Sequence, residues 1–252
     1  MRSPRAGAAA ALLAVFLTLA TGASHANAEK RATPAPTSPR ASAPRLVYFD
    51  EPESTALFAA AKSKAPFWSL VRAFESEAME TYCAVASAVM VLNALKMPSP
   101  PEPLVWPYHK FDQRNVFDEA SLRIIPAPAV AASGMTLDQL AAVLRAHGLE
   151  VAAHHAGETT VDAFRAAVRA ATSASGRYLV VNLLRAAVGQ AGPGHFSPIA
   201  AYDEQSDRVL VMDVARYKYP PWWIETPALF AAMDTEDPSA GKTRGFLVAT
   251  RK

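Results

Sequence analysis

Apolar positions recur at helical spacing in the first part of the chain and at alternating spacing toward its end. Over 53–73, Leu57, Phe58, Ala61 and Leu70 space roughly as one amphipathic face, with a break near Pro66. Residues 83–95 (CAVASAVMVLNAL) are apolar on nearly all sides, which predicts a helix buried at the centre of the domain, ended by the prolines from 98 to 103. Residues 98–133 read as a long connection carrying prolines and aromatics, of the kind that walls or covers a pocket. Thr136 with Gln139 three residues later signals a capped helix start. Leu137, Leu140, Ala141 and Leu144 form its stripe, and Gly148 its stop. A further helix is expected from Thr160 through Phe164 and Val168 to about Ala171. After Gly176 the texture turns to strands, over 178–183, 195–202, 208–214 and 245–250. Helices first and strands later predict an α+β fold with an antiparallel sheet.

The N-terminus changes where this domain begins. Arg2 and Arg5 precede an uncharged Ala/Leu-rich run over 6–20, and Ala26-Asn27-Ala28 is a small-x-small site, so residues 1–28 read as a cleaved export signal. The run is short for a membrane span. The mature chain is therefore expected in the periplasm or secreted, with no stable membrane anchor. Residues 29–45 (EKRATPAPTSPRASAPR) hold few large apolar groups and read as a disordered linker, which leaves 46–252 as one domain. Removing 1–28 takes away two arginines and no acid, so basic and acidic residues then balance. Nucleic-acid binding has no electrostatic footprint here.

Cys83 is the sole cysteine, so it forms no disulfide within the chain. It is either a small buried hydrophobe or a thiol kept for chemistry. Its place at a helix start favours chemistry, because free backbone N–H groups and the helix dipole lower a thiol pKa. His195 opens one expected strand and Asp213 ends the next, with 203–207 between them as a hairpin turn. A three-residue loop centred on Gln205 puts Asp213 opposite Ser197, with His195 on the same face. An even loop without a bulge puts them on opposite faces. A thiol, an imidazole and a carboxylate in that order suit nucleophilic catalysis, although a structural His and a turn-forming Asp fit the same positions. The doublet His154-His155 falls on an expected strand and points to two faces, so no metal ligands are assigned.

Tyr82-Cys83 and the helix after it, Gly194-His-Phe-Ser-Pro-Ile-Ala-Ala-Tyr202, Met212-Asp-Val-Ala-Arg-Tyr-Lys-Tyr-Pro-Pro221 and Lys242-Thr-Arg-Gly-Phe246 closely resemble the phytochelatin synthase family. Gly134-Met-Thr-Leu-Asp138 and Val181-Asn-Leu-Leu-Arg185 fit its texture, and the likeness runs from about residue 46 to the C-terminus. It implies a papain-like fold in which Cys83 attacks the Cys–Gly amide of glutathione or a related thiol peptide. Glycine leaves, and a γ-glutamylcysteinyl thioester passes to water or to a second glutathione. By the same resemblance His195 is general base and then acid, and Asp213 orients it. Asn182, Arg185 and Arg244 would grip the γ-glutamyl end. No tightly bound cofactor is implied; cadmium or zinc would enter as the metal thiolate of the substrate. The chain has no Cys-rich C-terminal region, so hydrolysis is expected to prevail over transfer. Two positions depart from the family pattern. Glu77 stands where a Gln usually supports the oxyanion, and Ala84 where a Gly usually follows the cysteine. They motivate a weakened peptide-binding module as one alternative; the export signal motivates another, a papain-like peptidase or amidase on a different small peptide.

Overall fold

The computed structural model describes residues 43–252; the expected export signal and the linker as far as residue 42 lie outside them. The elements begin with β1 (Val47–Tyr48), α1 (Pro52–Ala60), α2 (Phe67–Arg72), α3 (Cys83–Ala94), α4 (Glu119–Ile124), α5 (Ala127–Ser133) and α6 (Leu137–Ala146). Then come β2 (Leu149–His155), α7 (Val161–Ser173), β3 (Arg177–Leu184), β4 (Gly194–Asp203) and β5 (Arg208–Val211). The chain closes with β6 (Trp222–Glu225), α8 (Thr226–Met233), β7 (Glu236–Asp237), β8 (Lys242–Thr243) and β9 (Gly245–Arg251). The fold is α+β, around a seven-stranded antiparallel sheet in the order β1-β6-β5-β4-β3-β9-β2.

Helices cover both faces of the sheet, and alternate strand residues feed two cores. Val180, Phe196, Leu210 and Leu247 pack with α3 and α6, while Leu179, Ile199, Val211 and Phe246 pack with α7 and α8. Burial of both faces explains why β3 and β4 read as apolar runs and not as clean alternation. Helix α3 is buried at every residue but Asn93, as an all-round apolar helix must be. Asn93 instead pins the connection after it: its amide donates to Phe111 O and accepts from Phe111 N, both at 2.9 Å.

That connection is not irregular throughout. Asp118 accepts from Ser121 N at 2.8 Å to cap α4, and Pro128 sits in the first turn of α5, which Gly134 ends at φ +75. Helices of six and seven residues are too short to show a period. Thr136 and Gln139 form the expected capping box of α6.

The β4–β5 hairpin reaches the expected facing by another route. Asp203 pairs with Arg208, so the loop holds four residues and not three. Asp203 accepts from Ser206 N and Oγ, and Asp207 takes a left-handed φ of +53 under the grip of Arg165 and Tyr202, which stabilises the longer loop. A β-bulge between Ile199 and Ala201 then shifts the register by one, and Ile199 pairs with Val211. Ala200 and Ala201 consequently both face the α3 core. An even loop with a bulge has the same outcome as an odd loop without one.

Candidate active site

The start of α3 lies against the beginning of β4. The approach over 75–82 is tied down where Glu77 N donates to Val214 O at 2.8 Å, just past Asp213. This brings Glu77, Cys83 and His195 together: a carboxylate oxygen, the sulfur and one ring nitrogen all lie within 4.8 Å of one another. His195 Nε2 is 3.0 Å from Asp213 Oδ1 and 2.9 Å from Ser197 Oγ. That assigns the N–H to Nε2 and leaves the Nδ1 lone pair for the sulfur side.

Asp213 is fully buried and densely held. It accepts both terminal nitrogens of Arg185 at 2.9 and 3.0 Å, Trp222 Nε1 at 2.8 Å and Ala215 N at 2.9 Å. Burial alone would raise its pKa, but His195 and Arg185 outweigh it and hold the carboxyl well below the usual range. Burial lowers the pKa of His195 against the pull of Asp213, so the imidazole rests neutral.

Cys83 corrects an expectation. Burial pushes the thiol up to about 11, with Glu77 adding to the rise, although the N–H groups of Phe196 and Ala84 favour the thiolate. The helix start is where the sequence placed it; desolvation is the larger effect. Glu77 is itself only 5% exposed, and burial raises its pKa against a 2.6 Å hydrogen bond donated by Tyr217 to Oε1. Its Oε2 has no partner among the described residues.

A cavity of about 230 Å³ opens at the sulfur, lined by Asn182, Gly194, Phe196 and Arg244 among others. Asn182 Nδ2 and Arg244 Nε are buried there without partners among the described residues. Thr235 and the carbonyl of Glu236 anchor Arg244 through Nη1, and a Cβ on Gly194 would come within 3.0 Å of its Nε. Arg185, expected beside them, is not on this cavity. It clamps Asp213, bonds Gln190 and stacks 4.9 Å over Tyr219. A larger hollow of about 760 Å³, near Lys96, His109 and Lys110 at the other end of α3, contains none of these residues. His154 stacks on Phe246 while His155 is buried against Thr243 O, on the other face as expected.

The sequence assigns no role to Ser197, named there only as the register partner of Asp213, nor to Trp222 or Tyr217. Ser197 had a usable signal, since two residues after His195 on a strand share its face. The other two reach the site by pairings that leave no local pattern.

The site is thus defined by a helix-start thiol, an imidazole and a clamped carboxylate at the strand ends in the middle of the antiparallel sheet. The chain belongs to the phytochelatin synthase family, whose model matches residues 38–246. It is 33% identical over 211 residues to glutathione gamma-glutamylcysteinyltransferase 3 of Lotus japonicus, covering 82% of this chain and 43% of that protein. The enzyme of the same name numbered 1 in Arabidopsis thaliana is 33% identical over 211 residues, covering 82% and 42%. The Schizosaccharomyces pombe glutathione gamma-glutamylcysteinyltransferase is 26% identical over 182 residues, covering 72% and 42%. The chain therefore spans about two fifths of the length of the curated relatives it matches.

Proposed function

We propose that this chain is a cysteine-nucleophile acyl transferase with a papain-like Cys83-His195-Asp213 triad, cleaving the Cys–Gly amide of glutathione. The observation that carries the reading is the thiol at the mouth of a cavity holding two unpaired buried donors, with the imidazole locked by Asp213. The printed names of the relatives supply the substrate class.

Both Cys83 and His195 rest neutral, so proton transfer accompanies attack. His195 Nδ1 takes the thiol proton as the sulfur adds to the amide carbonyl. A protonated Glu77 donates to the oxyanion. The C–N bond then breaks, His195 returns the proton to the departing glycine amine, and a γ-glutamylcysteinyl thioester remains on Cys83. Water, activated by His195, attacks the thioester, releasing γ-Glu-Cys and the Cys83 thiol; in the competing route the amine of a second glutathione takes the acyl group and forms a new peptide bond. Arg244 Nε and Asn182 Nδ2 meet the polar γ-glutamyl end, while Arg185 positions Asp213 and touches no substrate. No step calls for a resident cofactor; cadmium or zinc enters as the substrate's thiolate complex. The N-terminal pattern of residues 1–28 supports a periplasmic or secreted location, which cell fractionation checks.

Mass spectrometry after exposure to glutathione tests the reading. An acyl adduct on Cys83 with glycine release is expected, and Cys83→Ser should show neither. Absence of both, with and without cadmium or zinc, overturns it.

A further inference from the structure

Glu77, Cys83 and His195 bring a carboxylate oxygen, a sulfur and an imidazole nitrogen within 4.8 Å of one another, all buried. That donor set is the one zinc-type cations take, and a thiolate also selects cadmium. Tetrahedral bonds of about 2.0–2.3 Å place ligand atoms roughly 3.4–3.6 Å apart, so small side-chain rotations close the site.

Three further features prepare it. His195 Nε2 engages Asp213, which fixes the ring and leaves Nδ1 as the donor, as carboxylates behind metal-bound histidines do. Glu77 is 5% exposed, and its Oε2 lacks a partner among the described residues while Oε1 is anchored by Tyr217. An unpartnered buried carboxyl oxygen is costly, and a cation is the partner that satisfies it. Binding displaces the Cys83 thiol proton, and any proton on Glu77, to solvent; the resulting thiolate and carboxylate neutralise a divalent ion, so the filled site carries no net charge. The sulfur of Cys83 also lines the cavity of Asn182 and Arg244, which gives a solvent water access as a fourth ligand.

We infer that Glu77, Cys83 and His195 bind one zinc- or cadmium-class cation directly and so shut off the nucleophile reversibly. The inhibitory consequence rests on Cys83 being the nucleophile; the binding does not. Occupancy and acylation exclude each other, because both use the same sulfur. A side-chain amide at position 77 would bring a weaker donor and leave a net positive charge.

The test uses the full chain, stripped with a chelator and titrated with cadmium chloride in the absence of any peptide. The single cysteine makes a thiolate-to-cadmium charge-transfer band report on Cys83 alone. One equivalent is expected to saturate the band, and stoichiometric zinc to block alkylation of Cys83 by iodoacetamide until chelator is added. Glu77→Gln should weaken cadmium at least tenfold, whereas Tyr217→Phe, which keeps the carboxylate, should bind at least as tightly as the parent. No saturable band, undiminished alkylation under zinc, or equal affinity in Glu77→Gln each overturns the inference. None of these readouts involves glutathione, so the inference and the proposed function fail separately.

Discussion

Glu77 sets the pH behaviour of the proposed reaction. Burial raises its carboxyl pKa and the Tyr217 hydroxyl works against that rise. Below the raised value the carboxylic acid donates to the oxyanion; above it, the carboxylate donates nothing and repels sulfur and oxyanion alike. Turnover should therefore fall as pH rises through that value, measured with chelator present to keep the site free of cations. Glu77→Gln should remove this alkaline limb and raise the rate about tenfold or more at its upper end; loss of rate at every pH would sink the assignment. Tyr217→Phe removes the opposing hydrogen bond, so its limb should move to higher pH. Arg185 offers a different contrast. Removing one member of a buried ion pair typically costs about 3–5 kcal/mol, so Arg185→Met should lose that order of stability in denaturant melts without substrate. A variant with unchanged melts and only a higher KM would return Arg185 to the substrate. Cys83, His195 and Asp213 were legible because each sits at an element boundary. The clamp was not, because it joins residues 28 apart across the sheet, where no local pattern records it.

Legibility at the level of elements followed length and period. Helices α6 and α7 carry clear apolar stripes and Thr caps, and α3 announced its burial through its composition. Helix α8 and strand β6 did not stand out, since the run Trp222 to Met233 is almost uniformly apolar and hides the change of period at Thr226-Pro227. The hairpin shows a subtler limit: pattern predicts which faces must meet, while turn chemistry decides whether loop or bulge supplies the shift. Strand β9 places Arg244 at the cavity, and Gly245 makes its close approach to β2 possible. A Cβ there would lie 2.0 Å from His154 O. Gly245→Ala should accordingly push β9 from β2, cost about 3 kcal/mol or more, and weaken peptide binding through displaced Arg244. A variant with unchanged melting and unchanged KM would contradict that coupling.

At the scale of the molecule, the sheet separates two cores, and the proposed chemistry forms where α3 from one layer meets the ends of β4 and β5. Every described residue that positions the site lies in the unit from Ser42 to Lys252. The α+β class was legible from the order of helices and strands; the covering of both sheet faces was not, because short helices and apolar strands blur that distinction. Among the described residues, both cores are built from residues 46–249 and the first strand starts at Val47. Nearer the N-terminus, Arg45 bonds Glu53 in an exposed, solvent-screened pair that adds little to stability. A fragment of residues 43–252 should therefore unfold in one cooperative transition. For a domain of this size about 1 kcal/mol shifts Tm by only about 2–4 °C, so its Tm should fall within that margin of the full chain's. Glycine release from glutathione should proceed at the same rate in both. A fragment that melts about 10 °C lower, or loses turnover while keeping its fold, would show that residues before 43 contribute to the catalytic unit itself.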